Sequence, residues 1–463
     1  MIPDNRVSDM ASFPLRLSTG AMGTMALCTA LMAIPDAAKA VPSVVPTGVT
    51  RYSPEKAYNS FILFSGSDNH THLIDMNGHE VRQWAQAGFP AKYIDPALVQ
   101  GQKGIIGLQL SEIRGDGTHK IPGATAGFRN RTFGYVDWSD KTLWEWGLQS
   151  PEGNARQHHD WARLPDGGTL LLANQNRSIP GGAKPVLDDV IYEIAPDGKI
   201  RWTWKAGDHL QEFGFTDSQL QLVTHAENPD YLHINNMQLV GDNHWYRAGD
   251  KRFAPDNILI DSREANFIAI LDRHSGKVVW RLGPNLPQRR RSEPAVPFAV
   301  DQFVGQHDAH LIPEGLPGAG NLIVFDNQGE AGYPARPLQV ANGSRILEIN
   351  PVTAQVVWQY TGENSGGPPW SFYSSFISSV ERLPNGNTLI DEGMNGRFFQ
   401  VTPTGEIVWE YVSPYSGETP GSSSGKTTRS NWVYRIQPVP YGWVPSTVSH
   451  TETVVVPASG PEK

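Results

Sequence analysis

Histidine and arginine side chains stand at recurring places in the sequence and are the residues best suited to chemistry. His159 lies in QHHDWARLP and His307 in GQHDAHLIP, each six residues before a proline. His233 lies at the start of a similar element, DYLHINNMQL, and Arg263 follows the apolar run NILIDS. In FISSVERLP the corresponding place holds Ser378. Three histidines before comparable apolar runs indicate a shared site.

These side chains suit several kinds of chemistry. Imidazole can attack an electrophile, transfer a proton or bind a metal, and guanidinium carries a fork of donors that fits a tetrahedral oxyanion. Three histidines could ligate zinc, but Arg263 beside them would repel the cation, so we expect no metal. The rival interpretation of Arg263 is a surface residue paired with Asp261 or Glu264.

A hairpin ending in tryptophan recurs along the chain and predicts the scaffold that positions these residues. Each copy has two alternating strands, joined in most copies by a turn of the Asp-Gly, Ser-Gly or Thr-Gly kind. The copies are about 65 residues apart on average and centre on Trp84, Trp144, Trp202, Trp280, Trp358 and Trp409. Different hairpins alternate with them at 162–174, 311–327 and 381–393.

Two hairpins per repeat predict an all-β, six-bladed β-propeller with four-stranded antiparallel blades. The first strand of each blade lines the central channel, so His159, His233 and His307 should point into one cavity. The tryptophans are expected to pack between blades. Residues 431–440 should supply a strand that completes the blade begun near Phe61.

The composition agrees with many short strands and limits the possible partners. The chain has 463 residues with 46 Gly, 36 Pro and 14 Trp, which favours turns and strands over a helical bundle. A formal net charge of −9 offers no general electrostatic footprint for nucleic acid. After residue 40, no apolar run is long enough to predict a membrane span.

An apolar stretch near the start of the sequence predicts export. Residues 20–35 are apolar and are followed by Ala38-Lys39-Ala40, a pattern typical of a secretory signal cleaved near Ala40. We therefore expect a periplasmic protein. Since Cys28 is the only cysteine and lies in the removed segment, the mature chain should form no disulfide.

The repeat and the leader together predict the domain organisation. The expected parts are a signal peptide at 1–40, an N-terminal extension at 41–60, the catalytic propeller at 61–440 and a C-terminal tail at 441–463. Within these parts, we expect residues 414–430 to form a mobile loop and residues 445–463 to be loose.

Several segments in combination resemble the bacterial arylsulfate sulfotransferases. They are His-Ile-Asn-Asn from His233, the run ILIDSREANFIAILDRHSGKVVWRLGP, GQHDAHLIP and ERLPNGNTLI. The resemblance covers roughly residues 60–415. It implies a six-bladed propeller that moves a sulfuryl group from an aryl sulfate donor to a phenol acceptor, without a nucleotide donor or another cofactor.

The resemblance also implies roles for individual residues. His307 matches the family's nucleophile, which forms a sulfohistidine in a ping-pong mechanism. His233 and Arg263 match the residues that hold the sulfuryl oxygens, and His159 matches a further active-site histidine. Asp308 adjoins His307 but should face the other way, because adjacent residues of a strand point to opposite sides.

Two other classes of protein remain open at this point. One is a quinone-cofactor dehydrogenase propeller, which shares D-x-x-x-G-x-x-x-W motifs but usually has eight repeats. The other is a propeller that binds a ligand without catalysis. The sequence also departs from the resembled family, whose well-known members carry an N-terminal β-sandwich and a disulfide.

Overall fold

The computed structural model describes residues 46–113, 119–120, 130–288, 295–419, 428–445 and 448–457. The predicted signal peptide, its cleavage site and Cys28 lie outside these residues. The chain forms six antiparallel sheets arranged in a ring, so the predicted six-bladed β-propeller is confirmed.

The blades are numbered I to VI around the ring, and their strands are given from the innermost outward. Blade I consists of Ile436–Val439, Phe61–Ser65, Thr71–Ile74 and Glu80–Trp84. Blade II consists of Lys92–Tyr93, Ile106–Ile113, Asn130–Val136 and Thr142–Trp146, with His119–Lys120 paired to its second strand. Blade III consists of Gln157–Arg163, Thr169–Arg177, Val186–Ile194 and Ile200–Lys205.

Blades V and VI each carry an additional outer strand. Blade IV consists of Ile234–Leu239, Ile258–Ser262, Phe267–Leu271 and Val278–Leu282. Blade V consists of His307–Leu311, Leu322–Asp326, Arg345–Asn350, Gln355–Tyr360 and Phe298–Ala299. Blade VI consists of Ser379–Arg382, Thr388–Glu392, Arg397–Val401, Ile407–Val412 and Gly48–Tyr52.

Short elements occupy the connections between strands. The α-helices are Asp217–Thr224 and His244–Arg247. Thr216 caps the first of them by accepting a hydrogen bond from the Gln219 N–H. The 3-10 turns are Pro96–Val99, Ala206–Asp208, Leu210–Glu212, Lys251–Phe253, Val340–Asn342, Gly362–Ser365, Pro369–Ser371, Gly393–Asn395 and Tyr441–Trp443. A small hairpin pairs Gly417–Thr419 with Thr428–Ser430, at the two ends of the expected mobile loop.

The repeated tryptophans connect neighbouring blades, as the sequence predicts. Trp84 donates its indole N–H to the Asp137 carbonyl in the next blade at 3.1 Å, and Trp409 donates to Met76 at 2.8 Å. Trp144, Trp280 and Trp358 make the same kind of bond to a turn of the following blade.

In one repeat, the tryptophan that contacts the next blade lies two residues after the predicted one. In the third repeat Trp204, rather than Trp202, donates to the next blade, at the Gly276 carbonyl. Trp204 is buried, whereas Trp202 is only partly buried. Strand neighbours at i and i+2 share a face, so the alternating pattern alone fits either residue.

The ring closes through segments from both ends of the described chain. Phe61 pairs with Val439 and Phe64 with Ile436, which confirms that 431–440 completes the first blade. We expected a loose tail, but residues 448–457 are held in place. Val455 exchanges two backbone hydrogen bonds with Tyr52, at 2.8 and 3.0 Å. The tail therefore joins the same closure.

A network of buried charges crosses the centre of the ring. Arg435 of blade I is 3% exposed, and its guanidinium lies 2.9 Å from Asp160 and 3.3 Å from Asp308. Lys92 of blade II also binds Asp160. We call Arg435, Lys92, Asp160 and Asp308 the axial network. Burial raises the pKa of Asp160, but Lys92 and Arg435 outweigh this effect, so its pKa lies below the ordinary value.

The axial network reaches the remaining blades through backbone groups. Asp160 accepts the Met237 N–H of blade IV at 3.1 Å, and Asp308 accepts the Val380 N–H of blade VI at 3.0 Å. Asp308 belongs to blade V and Asp160 to blade III. All six blades are thus joined, four through the side chains of the axial network and two through backbone N–H groups, and Asp308 faces this network, as expected for a residue pointing away from the His307 imidazole.

Replacing Arg435 by methionine should destabilise the fold strongly. The carboxylates of Asp160 and Asp308 would then stay buried without this cation, and breaking a buried pair in this way costs about 3–5 kcal/mol. We expect a clearly lower midpoint of urea unfolding for Arg435→Met than for the unaltered protein.

Arg247→Met is the matched control for this substitution. Arg247 also pairs with two carboxylates, those of Asp242 and Glu314, but its side chain is 46% exposed. Exposed pairs contribute little, so its midpoint should hardly move. Equal midpoints for the two variants would contradict the role given to the axial network.

Candidate active site

The four residues singled out in the sequence lie at one end of the ring. His159 is the third residue of the innermost strand of blade III, His307 is the first residue of that of blade V, and His233 directly precedes the innermost strand of blade IV. Arg263 follows the second strand of blade IV, which runs antiparallel and ends where the innermost strand begins. The topology thus places all four side chains around the same opening.

Contacts and electrostatics show that these side chains share one environment. The rings of His159 and His233 have centroids 4.6 Å apart and meet edge to face. Burial lowers the pKa of His159 well below its ordinary value, and the charges of neighbouring groups including His233 and His307 lower it further. Arg263 acts on His307 in the same way. We call His159, His233, His307 and Arg263 the histidine site.

The innermost strands depart from regular pairing where the site residues lie. The register shifts between Gln157 and Trp161 in blade III and between His307 and His310 in blade V. His159 has a φ of 55° and His233 a φ of 50°, in the left-handed region that non-glycine residues rarely adopt. Bulges of this kind redirect side chains, here toward the opening of the channel.

His233 does not occupy the strand position that His159 and His307 share. His159 and His307 each stand four residues before the last pair of their strand, Arg163 with Thr169 and Leu311 with Leu322. In blade IV the corresponding pair is Leu239 with Ile258, so Asn235 takes the matching place. His233 lies two residues earlier and reaches the site from the loop before the strand.

The imidazole of His307 is held in one tautomer. Its Nδ1 lies 2.8 Å from Asn327 Oδ1 and 3.0 Å from the Gly305 carbonyl oxygen. Asn327 donates its own Nδ2 hydrogens to the carbonyls of Ser374 and Ile377, at 2.8 and 2.9 Å, so its oxygen must face the histidine. Because both groups on Nδ1 are acceptors, Nδ1 carries the proton and Nε2 carries the lone pair.

His307 is neutral as well as oriented. Burial lowers its pKa well below the ordinary value, and the charge of Arg263 lowers it further, although the hydrogen bond to Asn327 opposes this shift. In the structure Nε2 accepts the Ile377 N–H at 3.1 Å. A neutral imidazole with its lone pair on Nε2 is the nucleophilic form.

Asn327 was not among the residues predicted from the sequence, although its place at the end of a blade's second strand could have indicated it. It directly follows the second strand of blade V, as Arg263 follows the second strand of blade IV. Equivalent strand ends bring both residues to the histidine site. The segment IVFDN gives no sign of this on its own, because polar residues after a strand are common in turns.

Arg263 combines features of both interpretations given above. Its guanidinium pairs with Glu264, as the surface interpretation expects, yet the side chain is only 18% exposed. Asp261 does not take this role, because it accepts hydrogen bonds from Gln306 and from the Ala309 N–H. The Arg263 backbone N–H donates to the His233 carbonyl at 3.1 Å, which keeps the two residues together.

The histidines next to the predicted ones occupy other positions. His158 lies behind His159, with their Nδ1 atoms 2.9 Å apart, and its Nε2 is 3.4 Å from Asp189. His310 lies further along the channel strand, where its Nε2 is 3.8 Å from Glu381. His310 is therefore outside the histidine site.

Aromatic side chains cover the side of the site next to His159. Phe89 lies 4.8 Å and Tyr434 5.4 Å from the His159 ring, between centroids. Phe376 and Trp432, both half-buried, pack 5.5 Å apart in the same apolar cluster. We call Phe89, Tyr434, Phe376 and Trp432 the aromatic wall. Such surfaces bind flat rings through edge and face contacts.

No group of three or more His, Cys, Asp or Glu side chains in the part of the chain that the structure describes is arranged to hold a metal ion. Among the same residues, no helix is long and apolar enough to cross a membrane.

The sequence matches the family described as Arylsulfotransferase (ASST) over residues 145–435, more than half of the chain. This segment contains the whole histidine site. Among proteins of curated function, none matches the chain.

Two solved structures are similar to the chain at low sequence identity. A protein of unknown function from Bacteroides caccae is 12% identical, with 82% of this chain and 99% of that chain covered and a TM-score of 0.43. A virginiamycin B lyase from Staphylococcus aureus is 12% identical, with 79% and 84% covered and a TM-score of 0.33.

Exchanging Asn327 for aspartate should raise the pKa of His307. A carboxylate on Nδ1 stabilises the imidazolium form, and such a charge typically shifts a pKa by about 1–3 units. Nitrogen-15 NMR should show unaltered His307 neutral, with its proton on Nδ1, at and below pH 6.5, and protonated at higher pH in Asn327→Asp. The imidazole signals of His274, which is 81% exposed, should be the same in both proteins and serve as the control. A proton on Nε2 in the unaltered protein would contradict the assigned tautomer.

Proposed function

The chain belongs to the arylsulfotransferase family, and from this we propose that it transfers a sulfuryl group from an aryl sulfate to a phenol by way of His307. Family membership supports aryl sulfotransferase activity and implies these two classes of substrate. The covalent route and its independence of a nucleotide donor are our proposal. The observation that carries it is the buried, neutral His307, with its proton held on Nδ1 beside Arg263.

The first half-reaction forms a bond between His307 and sulfur. Nε2 attacks the sulfur of the aryl sulfate, and the bond from sulfur to the aryl oxygen breaks. The proton on Nδ1 stays in place, so the product is a sulfuryl-imidazolium group and a phenolate. A neutral nucleophile suits this step, because an anionic one would be repelled by the anionic ester.

Donors around Nε2 can stabilise the sulfuryl oxygens. The Ile377 N–H occupies the Nε2 lone pair in the structure, and that hydrogen bond must give way during the attack. Once released, this N–H lies about 3 Å from the reacting nitrogen, where it can donate to a sulfuryl oxygen. Arg263 supplies a positive charge to the same site, where it lowers the pKa of His307.

The second half-reaction reverses these bond changes. The acceptor phenol loses its proton to a base in the site, and its oxygen attacks sulfur as the bond to Nε2 breaks. His307 returns to its neutral form with the proton still on Nδ1. Donor and acceptor use the same opening in turn, so the kinetics should be ping-pong.

The aromatic wall is the surface that we assign to the aryl groups. Phe89 and Tyr434 pack against His159, and their ring centroids are 4.2 Å apart. An aryl ring beside them would keep its ester oxygen near the histidines.

The propeller has six blades, whereas a quinone-cofactor dehydrogenase propeller usually has eight.

Removal of the proposed nucleophile should abolish transfer. We expect His307→Ala to release no nitrophenolate from 4-nitrophenyl sulfate above background, with or without phenol, since the covalent step needs Nε2. In the unaltered enzyme treated with donor alone, peptide mass spectrometry should show a sulfuryl adduct on the peptide with His307. His274→Ala is the control, since His274 is exposed at the surface and should be dispensable. Undiminished activity in His307→Ala, or an adduct on another peptide, would contradict the assignment.

Export is a further part of the proposal and rests on the N-terminal sequence. The apolar segment at 20–35 followed by Ala38-Lys39-Ala40 is typical of a cleaved signal. When the full chain is produced in a Gram-negative host, the periplasmic fraction should contain a protein that begins near Val41. Sequencing of its N-terminus measures this. An unprocessed protein confined to the cytoplasm would contradict it.

A further inference from the structure

Asp230 lies in the loop before His233, and its carboxylate contacts the His233 imidazole. Its Oδ2 lies 2.5 Å from His233 Nδ1, within hydrogen-bond distance. Burial raises the pKa of Asp230, but the charge of His233 and their hydrogen bond outweigh this effect, so its pKa lies below the ordinary value. Asp230 therefore stays ionised and favours a positive charge on the imidazole.

The loop that carries Asp230 and His233 is anchored on both sides. The Pro229 carbonyl accepts the Leu187 N–H at 2.8 Å, and the Tyr231 carbonyl accepts the Tyr333 hydroxyl at 2.6 Å. Ser262, next to Arg263, donates its hydroxyl to the Leu232 carbonyl at 2.6 Å. These bonds keep the pair at a constant place beside the histidine site.

His159 and His233 differ in what surrounds them. His159 is 3% exposed and contacts His158, Phe89 and Tyr434, and burial keeps its pKa well below the ordinary value. His233 contacts a carboxylate instead, and its side chain is 17% exposed. The Asp230 carboxylate on His233 Nδ1 is the contact that the inference below rests on.

Building on the proposed function, we infer that Asp230 is a positioning residue that makes His233 the proton donor to the leaving phenolate. Asp230 holds the Nδ1–H, which directs Nε2–H toward the site. In the first half-reaction the bond from hydrogen to His233 Nε2 breaks and a bond to the phenolate oxygen forms, leaving neutral imidazole. In the second, Nε2 takes the proton from the acceptor phenol, so no external acid or base is consumed.

Other titratable groups lie near Asp230 and affect the charge of its carboxylate. His158 and Arg263 both act on its carboxylate, and Asp189 lies close enough for each acid to affect the other. Burial and the charge of Asp230 raise the pKa of Asp189 well above its ordinary value. Asp230, rather than Asp189, is the acid whose carboxylate lies within hydrogen-bond distance of His233.

The test compares donors that differ in their need for a proton. Nitrophenolate is a weak base and leaves without help, whereas the phenolate from phenyl sulfate, with a pKa near that of tyrosine at about 10, needs a proton. In Asp230→Asn, kcat/KM should fall about 100-fold for phenyl sulfate, within the range of general acid catalysis, and less than about 10-fold for 4-nitrophenyl sulfate. Asp230→Glu should recover part of the loss.

Glu264→Gln is the matched comparison. It also removes a carboxylate from the site, but one that pairs with Arg263, so it should change kcat/KM for both donors by the same factor. A uniform loss in Asp230→Asn would overturn the inference, as would no loss. If Asp230→Asn does not fold, His233→Gln must show the same selective loss. An unaltered protein that fails to turn over 4-nitrophenyl sulfate would contradict the proposed function itself.

Discussion

The axial network is the interaction on which the rest of the structure depends. A propeller must close its ring and fill its centre; here strand pairing closes the ring and buried ion pairs fill the centre. Arg435 comes from the segment that closes blade I and binds carboxylates of blades III and V. Burial penalises each of these charges alone, so the arrangement is stable only while the partners are together.

The axial network also determines where the chemistry lies, because site and network residues are neighbours in sequence. His159 precedes Asp160, and His307 precedes Asp308. The charged member of each pair lies in the network, and the imidazole lies at the opening of the channel. Charge is thus neutralised in the centre, whereas burial and the charge of Arg263 lower the pKa of His307, the proposed nucleophile.

The sequence predicts the fold well because hairpin turns and tryptophan contacts are local and repeated. It also predicts the offset from proline that His159 and His307 share. It does not predict Arg435, because its partners Asp160 and Asp308 become its neighbours only when the ring closes. Asn327 and Asp230 lie closer in the chain to their partners His307 and His233, but polar residues in loops are too common for the sequence to indicate such contacts. His233 shows the limit of repeat matching, since Asn235 takes the equivalent place in blade IV.

In the proposed mechanism the sulfuryl group is transferred twice, first to Nε2 of His307 and then to the acceptor. The most direct measurement uses an aryl sulfate made chiral at sulfur with three oxygen isotopes. Each in-line displacement inverts the configuration, so two displacements should yield a product with retained configuration. An inverted product would show direct transfer between donor and acceptor and would contradict the account.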